Sequence, residues 1–453
     1  MSHLTLPLNL LFLILTLYLS FTAGDLDFFT HSDYHADLIA TNISIPRGLL
    51  IDEAGDILVL SRGASSIIAL HQAQNDGSTY SQTLIVNGTG LGLNHGIEYR
   101  NQFLYASSGS TVYRWPYVPG QRSQIDNNLR ETVISNISVP DENKVNTRTL
   151  IFDEDDLLYV TINSDIRLDN DSTRCRMRRF NLTGERDEGG IDFETGEIFA
   201  DGLRNEVGLA FDCSGVMWGV ENAGGADYLI RDDLGGWIHD YNPAEEINRF
   251  DKPVGTHYGY PYCFGSYNLS GYQVGMQFAW PTAMGDGIHS DEWCRTRANN
   301  EPATFFMPAH TAPLDIEFYC NACDDANLPK GAFPCSFRNA AVITFHGSMN
   351  ISTPVGYMVA LYPFDPTTRA PTGETITILE DMSQHTDALS KERRFRPVSA
   401  VFHGQGHLIV SADTTDQIIK VTYNKNKSGS GSGPRATFYT LILCMLHSFV
   451  FYA

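Results

Sequence analysis

The sequence has few basic residues for its size, and this shortage excludes two classes of protein. Its 453 residues contain 31 lysines and arginines against 53 acids, which gives a formal net charge of −22. A nucleic-acid-binding protein needs a basic face for the phosphates, so this class is excluded. Electrostatic attachment to an anionic lipid surface is excluded for the same reason.

Three cofactor motifs are missing as well, and so is helical periodicity outside the two ends. The sequence has no CxxCH haem motif, no GxGxxG fingerprint and no P-loop, which argues against covalent haem, nicotinamide and nucleotide cofactors. With 42% hydrophobic and 19% charged residues, the chain can still build a large core, and its composition excludes disorder and collagen. We therefore expect a globular protein made mainly of β-strands.

Both ends of the sequence carry targeting patterns. Residues 1–24 predict a secretory signal peptide, because an apolar run precedes small residues; an uncleaved anchor is the alternative. Residues 425–453 combine a Ser/Gly linker with an apolar tail, which is typical of a GPI-attachment signal; a spanning helix is the alternative. We expect an extracellular, cell-surface protein that meets the plasma membrane only through a lipid anchor.

Glycosylation triplets and cysteines agree with secretion. The triplets stand at Asn42, Asn87, Asn136, Asn170, Asn181, Asn268, Asn350 and Asn426. Cys444 lies in the tail, so an odd number of cysteines remains and one thiol should be free or intermolecular. Cys320-x-x-Cys323 favours disulfide bonding with Cys335 over half of a zinc site, because no second CxxC motif occurs.

A strand–turn–strand pattern occurs six times along residues 25–424. Each copy has a polar residue, a short apolar strand, an Asp- or Gly-containing turn and a second apolar strand. The copies begin at Arg47, His95, Arg148, Arg204, His310 and Arg396. We predict one all-β domain over residues 25–424, a six-bladed β-propeller with a long loop-rich insertion, 225–312, after blade four. A pair of β-sandwiches is the alternative.

The register of these repeats predicts where their polar residues meet. In an antiparallel pair the start of the first strand and the end of the second lie at the same end of the sheet. The residues before the first strands are Arg47, His95, Arg148, Arg204 with Asn205, His310 and Arg396. The residues after the second strands are Arg62, Ser107 with Ser108, Asn163, Glu221 with Asn222, His346 and Asp413. We expect them to form a cationic basin at the axial mouth that binds a planar polyanion, because guanidinium groups pair bidentately with carboxylates.

Four short motifs give the chain a family resemblance. They are GLRN at 202–205, EEIN at 245–248, YGYP at 258–261 and RFRP at 394–397. With them the chain resembles the propeller dehydrogenases of sugars that use pyrroloquinoline quinone (PQQ), most of all the fungal pyranose dehydrogenase-type domain. The resemblance implies PQQ and calcium as cofactors, hydride transfer from a sugar to the quinone, and a separate electron acceptor.

Register and resemblance together assign the site residues. The register predicts Arg47, Arg148 and His310 as cofactor residues, and the resemblance implies Arg204, Asn205, Arg394 and Arg396 as well. The resemblance also implies that Asn222, Ala223, Gly224 and Glu246 lie at calcium. The catalytic base would be His95 or His346, with the choice left open. Two other functions stay open: a non-catalytic propeller of the same superfamily that binds a protein or glycan, and a calcium-dependent hydrolase of lactonase type.

Overall fold

The computed structural model describes residues 28–72, 79–139, 146–164, 169, 171, 173–184, 188–223, 229–321, 324–348, 351, 353–381 and 395–424. The predicted signal peptide and GPI-attachment segment lie outside these residues, as do Arg394 and Gly224. Within the described ranges, no helix has both the length and the apolar character needed to cross a membrane.

Six sheets form the blades, and in each the strands run in order from the axis to the rim. Blade one contains β3 (Pro46–Ile51), β4 (Ile57–Ser61), β5 (Ser66–Gln72) and β6 (Tyr80–Asn87). Blade two contains β7 (Leu93–Arg100), β8 (Phe103–Ser108), β9 (Val112–Pro116) and β10 (Glu131–Ser135), with β14 (Ile191–Asp192) at its edge. Blade three contains β11 (Leu150–Phe152), β12 (Leu157–Ile162), β13 (Arg176–Asn181) and β15 (Glu197–Asp201), with β21 (Thr256–His257) at its edge.

The second half of the chain supplies the other three blades. Blade four contains β16 (Glu206–Phe211), β17 (Met217–Glu221), β20 (Glu245–Arg249) and β24 (Phe305–Met307). Blade five contains β25 (Pro313–Phe318), β26 (Ala341–Phe345), β27 (Met358–Tyr362), β28 (Ile376–Asp381) and β1 (Phe28–Thr30). Blade six contains β29 (Pro397–Phe402), β30 (Leu408–Ala412), β31 (Gln417–Tyr423) and β2 (Tyr34–Thr41). The innermost strands contact one another around a closed ring, which confirms the six-bladed propeller.

The ring is closed by strands from opposite ends of the described chain. The strand β2 pairs with β31 from Tyr34 opposite Tyr423 to Thr41 opposite Gln417. Ahead of it, β1 pairs with β28 at the rim of blade five. Residues near the N-terminus thus complete the two blades that the C-terminal part of the domain forms.

Aspartates shape the turns between the first two strands of several blades. In blade one, Asp52 Oδ1 accepts hydrogen bonds from the backbone N–H groups of Ala54 and Asp56. Asp212 makes the same contacts in blade four, to Ser214 and Val216. An aspartate that caps its own turn in this way fixes the loop length, and hence the register of the strands that follow.

The described part of the predicted insertion, 229–312, is more regular than an insertion made of loops. It supplies β20 and β24, the two outer strands of blade four, which sequence reasoning had placed outside the blade. The rest forms two short hairpins and one helical turn, β18 (Ile230–Arg231) with β19 (Gly236–Trp237), β22 (Cys263–Gly265) with β23 (Gln277–Ala279), and α1 (Asp291–Arg295). Short 3-10 helices lie at Asn127–Leu129, Phe193–Thr195, Asp232–Leu234, His239–Tyr241, Met284–Asp286 and Cys335–Phe337.

Apolar side chains from facing sheets fill the spaces between adjacent blades. Between blades five and six, Val342, Val359, Val410 and Ile419 are fully buried in one cluster. Burial of each such side chain contributes roughly 1.5–3 kcal/mol, so the blades hold the residues at their axial ends in fixed positions.

Two disulfides have both cysteines among the described residues, and Cys335 is disulfide-bonded as well. Cys213 is bonded to Cys320, across 107 residues, and Cys263 is bonded to Cys294. Cys320 is therefore not available as a zinc ligand. Cys175 is a buried free thiol, which agrees with the odd cysteine count.

Candidate cofactor and active site

The mouth of the propeller gathers the residues that the repeat register predicted. Arg47, His95, Arg148, His310 and Arg396 are all buried, although each carries a polar group that prefers water. They lie at the axial ends of five different blades, because each stands at or just before an innermost strand. Such burial is costly unless the polar groups are paired with one another or with a ligand.

A hydrogen-bond network around Asp413 connects four of the blades. Arg47 Nη1 donates to Asp413 Oδ2 at 2.8 Å, and His346 Nε2 lies 2.9 Å from Asp413 Oδ1. On one side Arg47 Nη2 lies 3.3 Å from His95 Nδ1, and on the other Arg396 Nη1 lies 3.2 Å from His346 Nδ1. Both histidines that sequence reasoning proposed as the base therefore belong to one connected network.

The charges in this network follow from burial and neighbours. Burial alone would raise the pKa of Asp413, but His346 and Arg47 hold it below its ordinary value, so Asp413 is ionised. Burial lowers the pKa of His95 well below its ordinary value, and the nearby guanidinium groups of Arg47 and Arg62 lower it further. Burial also lowers the pKa of His346, against the opposing effect of Asp413. Both imidazoles are thus neutral near pH 7.

The partners of each imidazole fix which nitrogen carries the proton. An arginine can only donate, so Nδ1 of His346 accepts from Arg396 and its Nε2–H donates to Asp413. The same argument makes Nδ1 of His95 an acceptor from Arg47, which leaves the proton on Nε2. In His346 a carboxylate thus orients the ring through Nε2–H, and an arginine holds the basic Nδ1. In His95 the arginine likewise holds Nδ1, and the Nε2–H group remains to donate.

Three arginines at the mouth differ from the other arginines of the described chain. Arg148, Arg204 and Arg396 are buried or half-buried and have no carboxylate within salt-bridge distance among the described residues. The other described arginines without a carboxylate partner are exposed: Arg62, Arg130, Arg338 and Arg369. Buried or half-buried guanidinium groups without a carboxylate in salt-bridge contact are suited to an anionic ligand.

Arg148 is the clearest case of a guanidinium without a carboxylate partner among the described residues. It is only 1% exposed, its Nη1 and Nη2 donate to the carbonyls of Thr147 and Ser138 at 2.8 Å each, and its Nε has no partner. Burial lowers the pKa of Arg148 to about 9, and the nearby Arg174 adds to the effect. Among the described residues, no carboxylate neutralises this guanidinium.

Arg396 is fixed against an aromatic ring that sequence reasoning missed. Its guanidinium lies 4.9 Å from the ring centroid of Tyr357, and its Nη2 lies 3.3 Å from the Tyr357 hydroxyl. Tyr357 has a positive φ of 58°, which is unusual for an aromatic residue, so the local backbone is set by the tertiary contacts. No pattern in the sequence around Tyr357 points to this role.

Buried glutamates hold the backbone around Arg204. Glu221 Oε1 accepts from the Arg204 N–H. Glu245 accepts from Ala223 N at 2.9 Å and from Ala312 N at 3.2 Å, and burial raises the pKa of Glu245 to about 7. Glu245, which sequence reasoning did not select, thus ties the segment after β17 to the segment before β25.

Of the four residues that the resemblance assigns to calcium, Asn222, Ala223 and Glu246 lie among the described residues. The carbonyl of Asn222 accepts a hydrogen bond from Arg204 Nη1 at 2.8 Å, and the side-chain N–H of Asn222 donates to the Pro313 carbonyl. Glu246 lies opposite Glu221 across β17 and β20, and burial together with Glu221 raises its pKa well above the ordinary value. Within the described part, no group of three or more His, Cys, Asp or Glu residues could hold a metal ion.

The remaining predicted residues lie near the mouth without joining the Asp413 network. His310 Nε2–H donates to the His239 carbonyl at 2.6 Å, and burial lowers the pKa of His310. The backbone carbonyl of Asn205 accepts from Asn222 N at 3.0 Å. Asp413 itself was predicted to face the mouth by register, but its role between Arg47 and His346 was not.

Below the mouth, a cavity of about 270 Å³ follows the axis between the innermost strands. Its lining includes Glu98 from blade two and Asp315 and Glu317 from blade five, on the opposite side of the ring. The strands β3 and β7 approach closely here because Gly48 has no side chain, and a Cβ atom at that position would lie 2.3 Å from the carbonyl oxygen of His95.

Comparisons with known proteins agree with this architecture. A family model described as TrAA12-like matches residues 28–424. A PQQ-dependent sugar dehydrogenase of Hypocrea jecorina is 30% identical over 423 residues, which cover 87% of this chain and 89% of that protein. A PQQ-dependent pyranose dehydrogenase of Coprinopsis cinerea is 26% identical over 404 residues, which cover 83% of this chain and 52% of that protein.

This chain thus spans about half the length of the Coprinopsis relative. Among solved structures, a Trichoderma reesei protein of carbohydrate-active enzyme family AA12 superposes with a TM-score of 0.74 at 27% identity. The superposition covers 88% of this chain and 98% of that structure. The similarity therefore extends over the whole propeller.

Proposed function

The chain belongs to the TrAA12-like family, and on that premise we propose that it is an extracellular PQQ-dependent dehydrogenase that oxidises a sugar. The observation that carries the proposal is the set of buried or half-buried arginines without a carboxylate partner among the described residues, Arg148, Arg204 and Arg396. PQQ is a planar molecule with several carboxylates, so these residues fit the anion that the mouth requires. When bound, PQQ supplies the acceptor for two electrons from the sugar.

The geometry favours His346 over His95 as the base. Asp413 keeps the proton on Nε2 of His346, so Nδ1 carries the lone pair that a base needs. Nδ1 is occupied by Arg396 Nη1, and an anion bound by Arg396 would draw this guanidinium away and expose the lone pair. His95 presents an N–H instead, and we assign it to hydrogen bonding with a substrate oxygen.

Several finer parts of the proposal rest on the resemblance and the terminal sequence patterns. These are the calcium ion, hydride transfer as the route of the electrons, attachment through a GPI anchor, and a separate electron acceptor. Because the Asn222 carbonyl is engaged by Arg204, we assign no catalytic step to calcium. Its involvement is tested by PQQ titrations with calcium and with a calcium chelator.

The central test is saturable PQQ binding by the purified protein, followed by reduction of an artificial electron acceptor with a panel of aldoses. We expect binding at micromolar PQQ and sugar-dependent turnover. Absence of PQQ binding would refute the proposal. Binding without turnover would favour a propeller that binds its ligand without catalysis.

Two variants locate the base once turnover is seen. His346→Ala should abolish turnover and retain PQQ binding, because the imidazole serves the sugar proton. His95→Ala should raise KM more than it lowers kcat, because His95 positions the substrate. An H346A variant with unchanged kcat would refute the assignment.

A further inference from the structure

Residues 230–288 expose more large apolar side chains than the rest of the described chain. Eight of the fourteen exposed large hydrophobic residues lie in this segment: Ile230, Trp237, Tyr241, Val254, Tyr272, Val274, Met284 and Ile288. Single exposed apolar residues are ordinary, but a concentration of them, with aromatic rings, marks a binding surface.

Three of these residues lie within the short segment 230–241, and we call them the aromatic platform. Trp237 is 52% exposed and lies opposite Ile230 in the β18–β19 hairpin, so the two side chains share one face. Tyr241, 62% exposed, ends the 3-10 helix that follows Trp237. Asp240 lies beside them, and its Oδ1 accepts from Trp237 Nε1 at 3.3 Å.

The aromatic platform is joined directly to the mouth of the propeller. The Trp237 ring lies 5.5 Å from the His239 ring, and the His239 ring lies 4.7 Å from the His310 ring, between centroids. The hydrogen bond of 2.6 Å from His310 to the His239 carbonyl fixes this arrangement. Since His310 precedes the innermost strand of blade five, the platform begins at the rim of the basin.

The platform is also held rigidly. Arg231, next to Ile230, donates to both carboxylate oxygens of Asp291 at 3.0 Å and to the Ala279 carbonyl. Ile238, next to Trp237, is buried with Phe264 and Phe278 in a separate small core. A fixed aromatic surface loses little conformational freedom when a ligand binds, so it is suited to recognition.

We propose that the aromatic platform is a carbohydrate subsite. It binds a pyranose ring of an oligosaccharide while the reducing-end sugar of the same molecule enters the mouth. One face of a pyranose carries C–H groups that stack on an aromatic ring, and its hydroxyls donate to carboxylates such as Asp240. The proposal rests on the proposed function for the identity of the sugar in the mouth, and it makes an oligosaccharide the preferred substrate class.

The test uses tryptophan fluorescence of the PQQ-free protein, so it does not depend on turnover. Trp115, Trp218 and Trp280 are buried and Trp293 is half-buried, which leaves Trp237 as the tryptophan that a ligand can reach most easily. We expect cellotetraose or maltotetraose to change the emission saturably, and glucose to give no such change. Trp237→Ala should weaken tetrasaccharide binding, followed by calorimetry, roughly tenfold, the upper end of what aromatic stacking contributes.

Two further variants separate stacking from a loss of structure. Trp237→Phe should retain most of the affinity, and Tyr272→Ala should bind as the wild type does, because the Tyr272 ring contacts Phe278. Equal tetrasaccharide affinity of W237A and the wild type would overturn the proposal, and so would a wild type that binds neither tetrasaccharide. PQQ binding is measured separately, so loss of the subsite and failure of the proposed function give different results.

Discussion

Replacement of Arg148 by Met is expected to stabilise the cofactor-free protein while it weakens cofactor binding. The guanidinium is 1% exposed, has no carboxylate partner among the described residues and has its pKa lowered to about 9. A decrease of this size from 12.5 corresponds to ~5 kcal/mol of unfavourable free energy for the charged form, at about 1.4 kcal/mol for each pKa unit. Met has a side chain of similar length that carries no charge.

The gain is partly offset, because the carbonyl of Ser138 loses its donor, whereas that of Thr147 still accepts from Asn163 Nδ2 at 3.3 Å. An unsatisfied carbonyl costs about 1–3 kcal/mol, so with one carbonyl left unsatisfied the free energy of unfolding should change by ~2 to ~4 kcal/mol in favour of R148M. PQQ affinity should change in the opposite direction. Loss of a charged hydrogen bond of about 1.5–3 kcal/mol weakens binding by roughly 10- to 150-fold.

Denaturant unfolding of the apo proteins and calorimetric titration with PQQ measure the two quantities. Arg338→Met is the matched control, because Arg338 is exposed and also lacks a carboxylate partner in the described part. It should leave both quantities unchanged. The reasoning is refuted if R148M binds PQQ as tightly as the wild type, or if apo R148M is destabilised by more than ~2 kcal/mol.

Three further predictions concern the network, the axial cavity and a disulfide. Asp413→Asn should lower kcat by a factor on the order of 10²–10⁴ at saturating sugar, because His346 loses the carboxylate that fixes its tautomer; an unchanged kcat would contradict this. Burial raises the pKa of Glu98 and of Glu317 to about 8, and Asp315 adds to the effect at Glu317. These carboxyls bind protons more tightly in the folded protein, so stability should decrease as pH rises from about 4.5 to 8. Glu317→Gln should remove ~2–4 kcal/mol of that decrease, whereas Glu374→Gln, at an exposed position, should not change it. Urea titrations at several pH values measure the free energy of unfolding of both variants. Replacement of both Cys213 and Cys320 by Ala should lower the free energy of unfolding by ~4–5 kcal/mol, the value for a loop of this length, and a loss under 1 kcal/mol would contradict the estimate.

The propeller and the composition of its mouth could be predicted because both follow from local patterns. Each blade repeats a strand, a turn and a strand, and alternation of side chains assigns the flanking polar residues to one end of the sheet. Arg47, His95, His346 and Arg396 therefore meet as the register indicates. The role of Asp413 depends on distances between blades one, five and six, which no local pattern contains.

The strand β20 shows why other parts could not be predicted. Its sequence, EEINR, is mostly polar, yet Glu245, Glu246 and Asn248 are buried. Hydrophobic periodicity detects strands whose apolar residues enter the core, so it treats such a segment as a loop. In β20, Glu245 accepts from the backbone N–H groups of Ala223 and Ala312, and Asn248 donates to Glu206 and Glu221. These contacts join different segments and are visible only in three dimensions.

The closure of the ring by β2 and β31 also determines when, during synthesis, the mouth of the propeller can form. His35 in β2 and Thr422 in β31 are 387 residues apart but are neighbours in blade six. At synthesis rates of about 5–20 residues per second, β2 must wait roughly 20–80 s for its partner strand to be made. Arg47 and Asp413 lie on the two sides of this same junction. The anion-binding mouth therefore does not exist on the nascent chain, and a cofactor can be loaded only after the last blade has been completed.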